Sequence, residues 1–374
     1  MIVREYAKNP AEKYALLGMG CMRLPTLEGT QEPDPVKSEE IIDYAYKHGV
    51  NYFDSAYVYM GGKSEVVMGQ ALRKYPRESY HVATKLPSWG LNSAEDVERI
   101  FNESLERLGL DYIDFYLCHN VSEGSYDTFT NPELKVIPTL ERLKAEGKIR
   151  HLGFSSHGKP ETLRKFASLR DWDFAQIQMN YLDWEMSTTR EEYEILAELG
   201  IPTVVMEPVR GGRLASLTEE TDAMLKAVQP ERSIASWAFR FLMDKPNLMV
   251  ILSGMSNMEQ VIDNVKTFTE CSELSEAEKK TLDETVKIFR KSVTVPCTGC
   301  RYCCDDCPMQ IDIPKVMEIY NAYSISKSPW SLNALKELSA GPKDCVGCGS
   351  CAQHCPQNID IPAIMTELAE KMPG

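Results

Sequence analysis

From residue 16 to residue 269, short apolar runs alternate with longer stretches whose apolar residues recur every three or four positions. Runs of the first kind read as buried strands, and stretches of the second kind as amphipathic helices. Strands are predicted at 16–21, 51–55, 80–85, 112–119, 151–155, 174–179, 201–206 and 248–253. Helices are predicted at 39–48, 64–74, 93–108, 131–146, 160–169, 190–199, 233–243 and 258–269. Ser38 stands where an N-cap would open the first helix, and Gly49 where it would stop. A helix follows each of eight strands, an order that builds a parallel sheet. Eight such units in about 270 residues predict an α/β fold closed as a (β/α)8 TIM barrel. A doubly wound open sheet is the alternative, but no G-x-G-x-x-G follows the first strand.

The pattern changes after a highly charged helix predicted at 275–291, which is expected to pack outside the barrel. Residues 292–296 read as a linker, which divides the chain into a barrel domain at 1–291 and a second domain at 292–374. The second domain repeats itself. Cys297, Cys300, Cys303 and Cys307 keep the spacing C-x2-C-x2-C-x3-C-P, and Cys345, Cys348, Cys351 and Cys355 keep it again. That is the bacterial ferredoxin run for two [4Fe-4S] clusters, in which the fourth Cys of each run serves the other cluster. Cys297, Cys300, Cys303 and Cys355 are therefore assigned to one cluster, and Cys345, Cys348, Cys351 and Cys307 to the other. A zinc site would show paired C-x2-C knuckles instead. Cys304 reads as a bystander. Helices are predicted at 314–322 and 362–371, each opened by a Pro suited to a first turn. With the long spacer between the runs, they predict a mostly helical module.

Composition narrows the setting. An apolar fraction of 43% is ordinary for a protein with a real core. A formal charge of −14 disfavours nucleic acid and anionic membrane surfaces. The first residues, M-I-V-R-E-Y-A-K-N-P, contain no apolar signal region, and no apolar run reaches membrane-spanning length. With cysteines spaced for metal, the expected location is the cytoplasm.

Barrel enzymes carry their chemistry at the C-terminal ends of the strands. Asp54, Lys85 and His119 stand at three successive ends, and Tyr59 in the loop after Asp54. Taken singly, a loop Asp or Tyr is usually solvated and a Lys usually lies at the surface; together, at matching ends, they suggest a site. The stretch N-Y-F-D-S-A-Y-V-Y-M-G-G-K-S-E-V-V-M-G-Q-A-L closely resembles the aldo-keto reductase signature D-[ST]-A-x-x-Y followed by S-E-x-x-x-G-x-A-L. V-A-T-K-L-P and Y-L-C-H-N match the contexts of the family's Lys and His. The resemblance spans 16–291 and implies a catalytic tetrad at Asp54, Tyr59, Lys85 and His119. Tyr59 would be the proton donor to a small-molecule carbonyl substrate. A free phenol, with pKa about 10, is too weak an acid, and the Lys85 cation would acidify it. Asp54 would hold Lys85, and His119 would position the carbonyl oxygen. G-G-K-S does not make a phosphate loop, because Tyr57 stands where that loop needs Gly.

The family also binds a nicotinamide dinucleotide across the barrel mouth. By motif, Ser155, Ser156 and Gln176 fall on the nicotinamide amide, with Ser156 where the family usually has Asn. Arg210, Gly211, Gly212 and Arg213 fall on the phosphates, as does the turn Ser253, Gly254, Ser256 and Asn257. Met206 replaces an aromatic that stacks on the nicotinamide. Gly254 and Gln260 replace the Lys and Arg that grip a 2′-phosphate, whereas Asp263 and Asn264 match the adenine side. NADP(H) and NAD(H) both remain candidates, and a flavin is a further one. Trp89, Tyr57 and Trp184 are candidate pocket aromatics. Two functions compete, beside a third, non-enzymatic one in which the barrel is a nucleotide-sensing subunit of a larger assembly. One is NAD(P)H-dependent carbonyl reduction, with clusters attached. The other is an electron-transfer protein that links a nicotinamide or flavin to a redox partner protein without carbonyl reduction.

Overall fold

A computed structural model of the chain describes residues 1–292, 294–326 and 329–372. It divides into two compact units, Met1–Val209 with Ala235–Ser275, and Arg210–Ile234 with Glu276–Gly374.

The first unit opens with an antiparallel hairpin, β1 (Val3–Tyr6) and β2 (Asn9–Ala15). Eight strands follow: β3 (Leu17–Gly20), β4 (Tyr52–Asp54), β5 (His81–Leu86), β6 (Ile113–Val121), β7 (Ile149–Ser156), β8 (Phe174–Gln178), β9 (Thr203–Met206) and β10 (Leu248–Ser253). Each pairs in parallel with the next, and β10 closes on β3 to complete the barrel. All eight predicted strands are present. The hairpin was not predicted, because its exposed polar residues hide its purpose. It carries Tyr6 and Tyr14 into a buried cluster with Tyr52, Phe115, Phe174 and Val204, which fills the barrel at the N-terminal ends of the strands. The opposite end is left for chemistry.

The first helix runs Pro35–Lys47, and its N-cap is Asp34 rather than Ser38. Asp34 Oδ1 accepts from the N–H groups of Val36 and Lys37, and Pro35 supplies a fixed φ at the first position. Ser38 is buried inside the helix. Short helices at Tyr126–Thr130 and Tyr181–Met186 also escaped prediction, being too short to show a period.

In the second unit, helix Glu219–Val228 packs with Glu276–Phe289, and Gln229 Nε2 donates to Glu278 Oε1 at 3.0 Å. The helix predicted at 275–291 thus groups with the cysteine-rich part. The expected linker at 292–296 includes Val293, which lies outside the described residues. Thr294 and Val295 are clamped, since both N–H groups donate to Asn321 Oδ1. The cysteine-rich part is helical, with helices at Tyr302–Asp305, Ile313–Ser326, Ser350–Gln353 and Ile361–Lys371 and no strand among the described residues. Ile311, Ile313, Val316, Leu332, Ile361, Met365 and Leu368 form its core. The internal repeat reaches the backbone. Gly299 and Gly347, Arg301 and Gly349, and Gln310 and Asn358 occupy equivalent positions, and all take positive φ. Among the described residues, no helix is long and apolar enough to cross a membrane.

Candidate functional site

At the C-terminal mouth of the barrel, Asp54 ends β4 and Lys85 lies one residue before the end of β5. Both are buried, and Lys85 Nζ donates to Asp54 Oδ1 at 2.6 Å. The same ammonium donates to the Ser55 carbonyl at 2.6 Å. A buried cation needs several acceptors, so Ser55, the second residue of the D-[ST]-A-x-x-Y signature, is part of the site through its backbone carbonyl. Burial raises the Asp54 carboxyl and lowers the Lys85 ammonium, while their contact opposes both shifts. Tyr59 begins a tight turn whose next residue, Met60, sits at a left-handed φ of 52°. The Lys85 ammonium lies 5.0 Å from the Tyr59 ring centroid. His119 meets the Tyr59 ring edge-on at 5.8 Å. The register of β6 shifts between Cys118 and Val121, which sets Asn120 at a left-handed φ and places His119 at the mouth. Burial, then the Lys85 cation and His157, hold the His119 imidazole well below its usual range. The four residues expected to form the tetrad therefore converge, with His119 neutral and Lys85 tied to a carboxylate.

The aromatics separate. Trp89 is 44% exposed, and its ring stands 5.8 Å from that of His119. Tyr57 turns away, donating from its hydroxyl to Glu103 Oε2 at 2.5 Å beneath the Arg107 guanidinium. Trp184 packs with Tyr193 and Phe241.

Among the expected nicotinamide contacts, Gln176 is buried, and its Nε2 donates to Met206 Sδ at 3.5 Å. Its Oε1 is buried with no partner among the described residues, which suits an amide N–H donor such as a carboxamide. Ser155 Oγ accepts from the Asn120 N–H at 2.8 Å. Ser156 Oγ faces the Val121 carbonyl and the Gly158 N–H, so it serves the turn. Arg23 Nη1 bonds Glu207 Oε1 at 2.9 Å just beyond β9, a link not foreseen from the sequence. On the adenosine side, Gln260 Oε1 accepts from the Ser256 N–H at 2.8 Å, and Asn257 Oδ1 accepts from the Gln260 N–H. The Ser256 amide expected to meet a phosphate is thus capped internally. Asn264 Nδ2 donates to Ser253 Oγ at 3.0 Å. Gly254 is exposed, and a Cβ there would meet only ordinary contacts. Asp263 is half-buried on the same helix. Arg210, Gly211, Gly212 and Arg213 belong to the second unit.

In that unit, Cys297, Cys300, Cys303 and Cys355 line one pocket. Cys307, Cys345, Cys348 and Cys351 line another. The fourth cysteine of each run stands in the cavity of the other run. Among the described residues, no three His, Cys, Asp or Glu side chains close on a single ion. Four thiols gathered around one pocket are the donor set a cubane cluster takes. Cys304 lines neither cavity and packs against the core.

The fold and the mouth define a barrel oxidoreductase scaffold joined to a dicluster module. The chain belongs to the aldo/keto reductase family, which it matches over residues 16–287, and residues 296–359 match a 4Fe-4S dicluster domain. It is 29% identical over 315 residues to L-galactose dehydrogenase of Arabidopsis thaliana, covering 77% of this chain and 95% of that protein. It is 29% identical over 264 residues to the NADH-specific methylglyoxal reductase of Escherichia coli, covering 59% and 79%. Among solved structures, the holo form of an aldo-keto reductase from Bacillus halodurans superposes with a TM-score of 0.63 at 26% identity, covering 76% of this chain and 96% of that one.

Proposed function

We propose that the protein reduces a small-molecule carbonyl compound with NAD(P)H, and that two [4Fe-4S] clusters in its second unit transfer electrons. The observation that carries the catalytic part is the buried Lys85–Asp54 contact beneath Tyr59 and His119. A bound nicotinamide would supply the hydride. The chain's own groups then handle charge and proton. Neutral His119 donates a hydrogen bond to the substrate oxygen and orients it. Tyr59 delivers the proton from its hydroxyl as negative charge grows on that oxygen. The Lys85 cation favours the resulting phenolate, and Asp54 holds the ammonium in place. Trp89 stands beside His119 and offers an aromatic face to a bound substrate. Gln176 would hold the nicotinamide amide through its partnerless Oε1.

Gly254 and Gln260 supply no cation for a 2′-phosphate, which supports use of NADH beside NADPH. The name of the Escherichia coli relative agrees with this. Cysteines arranged for clusters suit a reducing compartment, the cytoplasm.

The test is Tyr59→Phe, assayed with NADH and NADPH on a panel of aldehydes and ketones. Reduction should fall by at least ~10²-fold, within the range of general-acid catalysis, while nucleotide binding holds. Full turnover by the variant would refute the tetrad. A second reading keeps the two cavities as its support: the protein passes electrons to a redox partner, without carbonyl reduction. Cluster absorbance bleached by NAD(P)H in a chain inert toward every carbonyl would favour that reading.

A further inference from the structure

Directly beyond β9 the backbone turns at Glu207, whose φ of 55° is left-handed. Glycine takes that region freely and glutamate does not, and Pro208 behind it favours an extended residue in front. The turn is held from two sides. Buried Asn180 donates from Nδ2 to the Glu207 carbonyl at 3.1 Å. Arg23 donates from Nη1 to Glu207 Oε1 at 2.9 Å, and Arg23 is itself moored, since its carbonyl accepts from Ser256 Oγ at 2.7 Å. A residue kept at an unfavourable angle by what surrounds it points to function. The Glu207 side chain is 12% exposed, and its Oε2 is buried with no hydrogen-bond partner among the described residues. An ionised carboxylate oxygen only accepts, so the group that meets Oε2 must be a donor. A buried acceptor left without one is costly.

Topology fixes where this acceptor lies. Arg23 follows β3, Glu207 follows β9, and β10 stands between those two strands in the barrel. The ion pair therefore crosses the C-terminal end of β10. A Cβ built on Gly254, just past that end, would lie 3.8 Å from the Arg23 Cβ. On the other side, Met206 precedes Glu207 and accepts from Gln176 Nε2 through its sulfur. Glu207 thus sits between Gln176, whose partnerless Oε1 suits a carboxamide, and the turn at 253–257, where a phosphate is expected.

A dinucleotide laid along this path has one ribose between its carboxamide and its pyrophosphate, that of the nicotinamide half. Ribose presents hydroxyl donors. A pyrophosphate presents none, and a carboxylate repels it. We propose that Glu207 binds the ribose hydroxyls of the nicotinamide half through Oε2, with Arg23 and Asn180 as positioning residues. The proposal rests on the nicotinamide reading of the mouth and deepens it. Recognition is placed on the nicotinamide riboside, whereas the adenosine side offers a Ser256 N–H already taken by Gln260.

The experiment compares two ligands on the full chain by fluorescence titration: NADH, and its analogue with 2′,3′-dideoxyribose on the nicotinamide side. Wild-type protein should bind NADH at least about tenfold more tightly, the effect of one hydrogen bond to a charged acceptor. In Glu207→Ala that preference should vanish, and in Glu207→Gln it should shrink. Arg23→Gln should lower the same ratio, and Arg23→Lys should restore much of it. A ratio of two ligands on one protein isolates the hydroxyls, because a general change in the mouth weakens both. If Glu207→Ala does not fold, the wild-type ratio and Glu207→Gln decide. A wild-type chain that binds both ligands alike refutes the proposal without any variant. A preference that survives Glu207→Ala refutes it too. It falls equally if the ratio ignores Glu207 while the KM of hydroxylated carbonyls alone rises, since the hydroxyl is then the substrate's. No measurable binding of either ligand by the wild type overturns the nicotinamide reading itself, and the proposal with it.

Discussion

Replacing Lys85 by Met isolates the electrostatics of the mouth. Met matches the length of the lysine stem and fills its space, so little cavity forms. What is lost is the ammonium, with its 2.6 Å contacts to Asp54 Oδ1 and the Ser55 carbonyl. Asp54 then remains buried with no cation beside it. At an effective dielectric of about 20, two unit charges ~4 Å apart attract by ~4 kcal/mol. Removing one partner of a buried pair costs ~3–5 kcal/mol, because the other charge is stranded. Lys85→Met should therefore lower unfolding free energy by roughly 3–5 kcal/mol near neutral pH. Adding Asp54→Asn removes the stranded charge and should recover about half or more of that loss. The sign of the pH dependence follows. Burial already raises the Asp54 carboxyl in the wild type, and in Lys85→Met nothing opposes it. The folded variant then binds a proton more tightly than the unfolded chain, whose carboxylate titrates near ~3.9. Its stability is complete below that value and falls as pH rises through the raised folded value. The double variant lacks this slope. Urea titrations by tryptophan fluorescence report the first unit, which holds Trp89, Trp172, Trp184 and Trp237. Measurements at about pH 4.5 and about pH 8 bracket the expected window for a raised carboxyl. If Lys85→Met costs under about 1 kcal/mol at both values and Asp54→Asn adds nothing, the pair is not ionised in the fold, and Lys85 cannot acidify Tyr59 by charge.

The remaining predictions concern the two bound groups. Anaerobically reconstituted protein should carry about eight irons per chain, falling to about four in Cys300→Ser or Cys348→Ser, as iron analysis would show. Cys304→Ser should leave iron content unchanged; stoichiometric zinc without iron would defeat the cluster assignment. For nucleotides, dissociation constants by fluorescence titration at fixed salt should show at most about a tenfold preference for NADPH over NADH. Gly254→Lys with Gln260→Arg should shift that ratio toward NADPH by tenfold or more, since each charge-assisted bond to a 2′-phosphate contributes ~1.5–3 kcal/mol. The same change removes the Gln260 bond to the Ser256 N–H, so that amide is released to meet the phosphate. A wild-type preference near a thousandfold would require a cation that neither position supplies.

How far the chain can be read in advance depends on whether a residue's role is local. The eight strands were legible because buried parallel strands are short apolar runs, and their helices because one face repeats. The grouping of the cysteines was legible because those of one turn are neighbours in sequence. The convergence of Asp54, Lys85 and His119 was legible only through a signature, since they become neighbours when β4, β5 and β6 pair. What stayed hidden is what depends on the far side of a contact. Asp34 outcompeted Ser38 as the N-cap because Pro35 fixed the start one turn earlier. The hairpin reads as a polar arm until Tyr6 and Tyr14 are seen within the barrel. Tyr57 and Trp184 were candidates by position alone, and each was claimed by a cation and a neighbour distant in sequence. The R-G-G-R stretch shows the same limit most fully. Its glycines mark a backbone that must turn left-handed, which a sequence reader takes for close approach to a phosphate. The same turn seats Arg210 so that its Nη2 donates to the Pro296 carbonyl, far along the chain and next to Cys297. A glycine-rich turn says only that the backbone takes positive φ; the contact its neighbours make is with a residue distant in sequence, and no local pattern carries that.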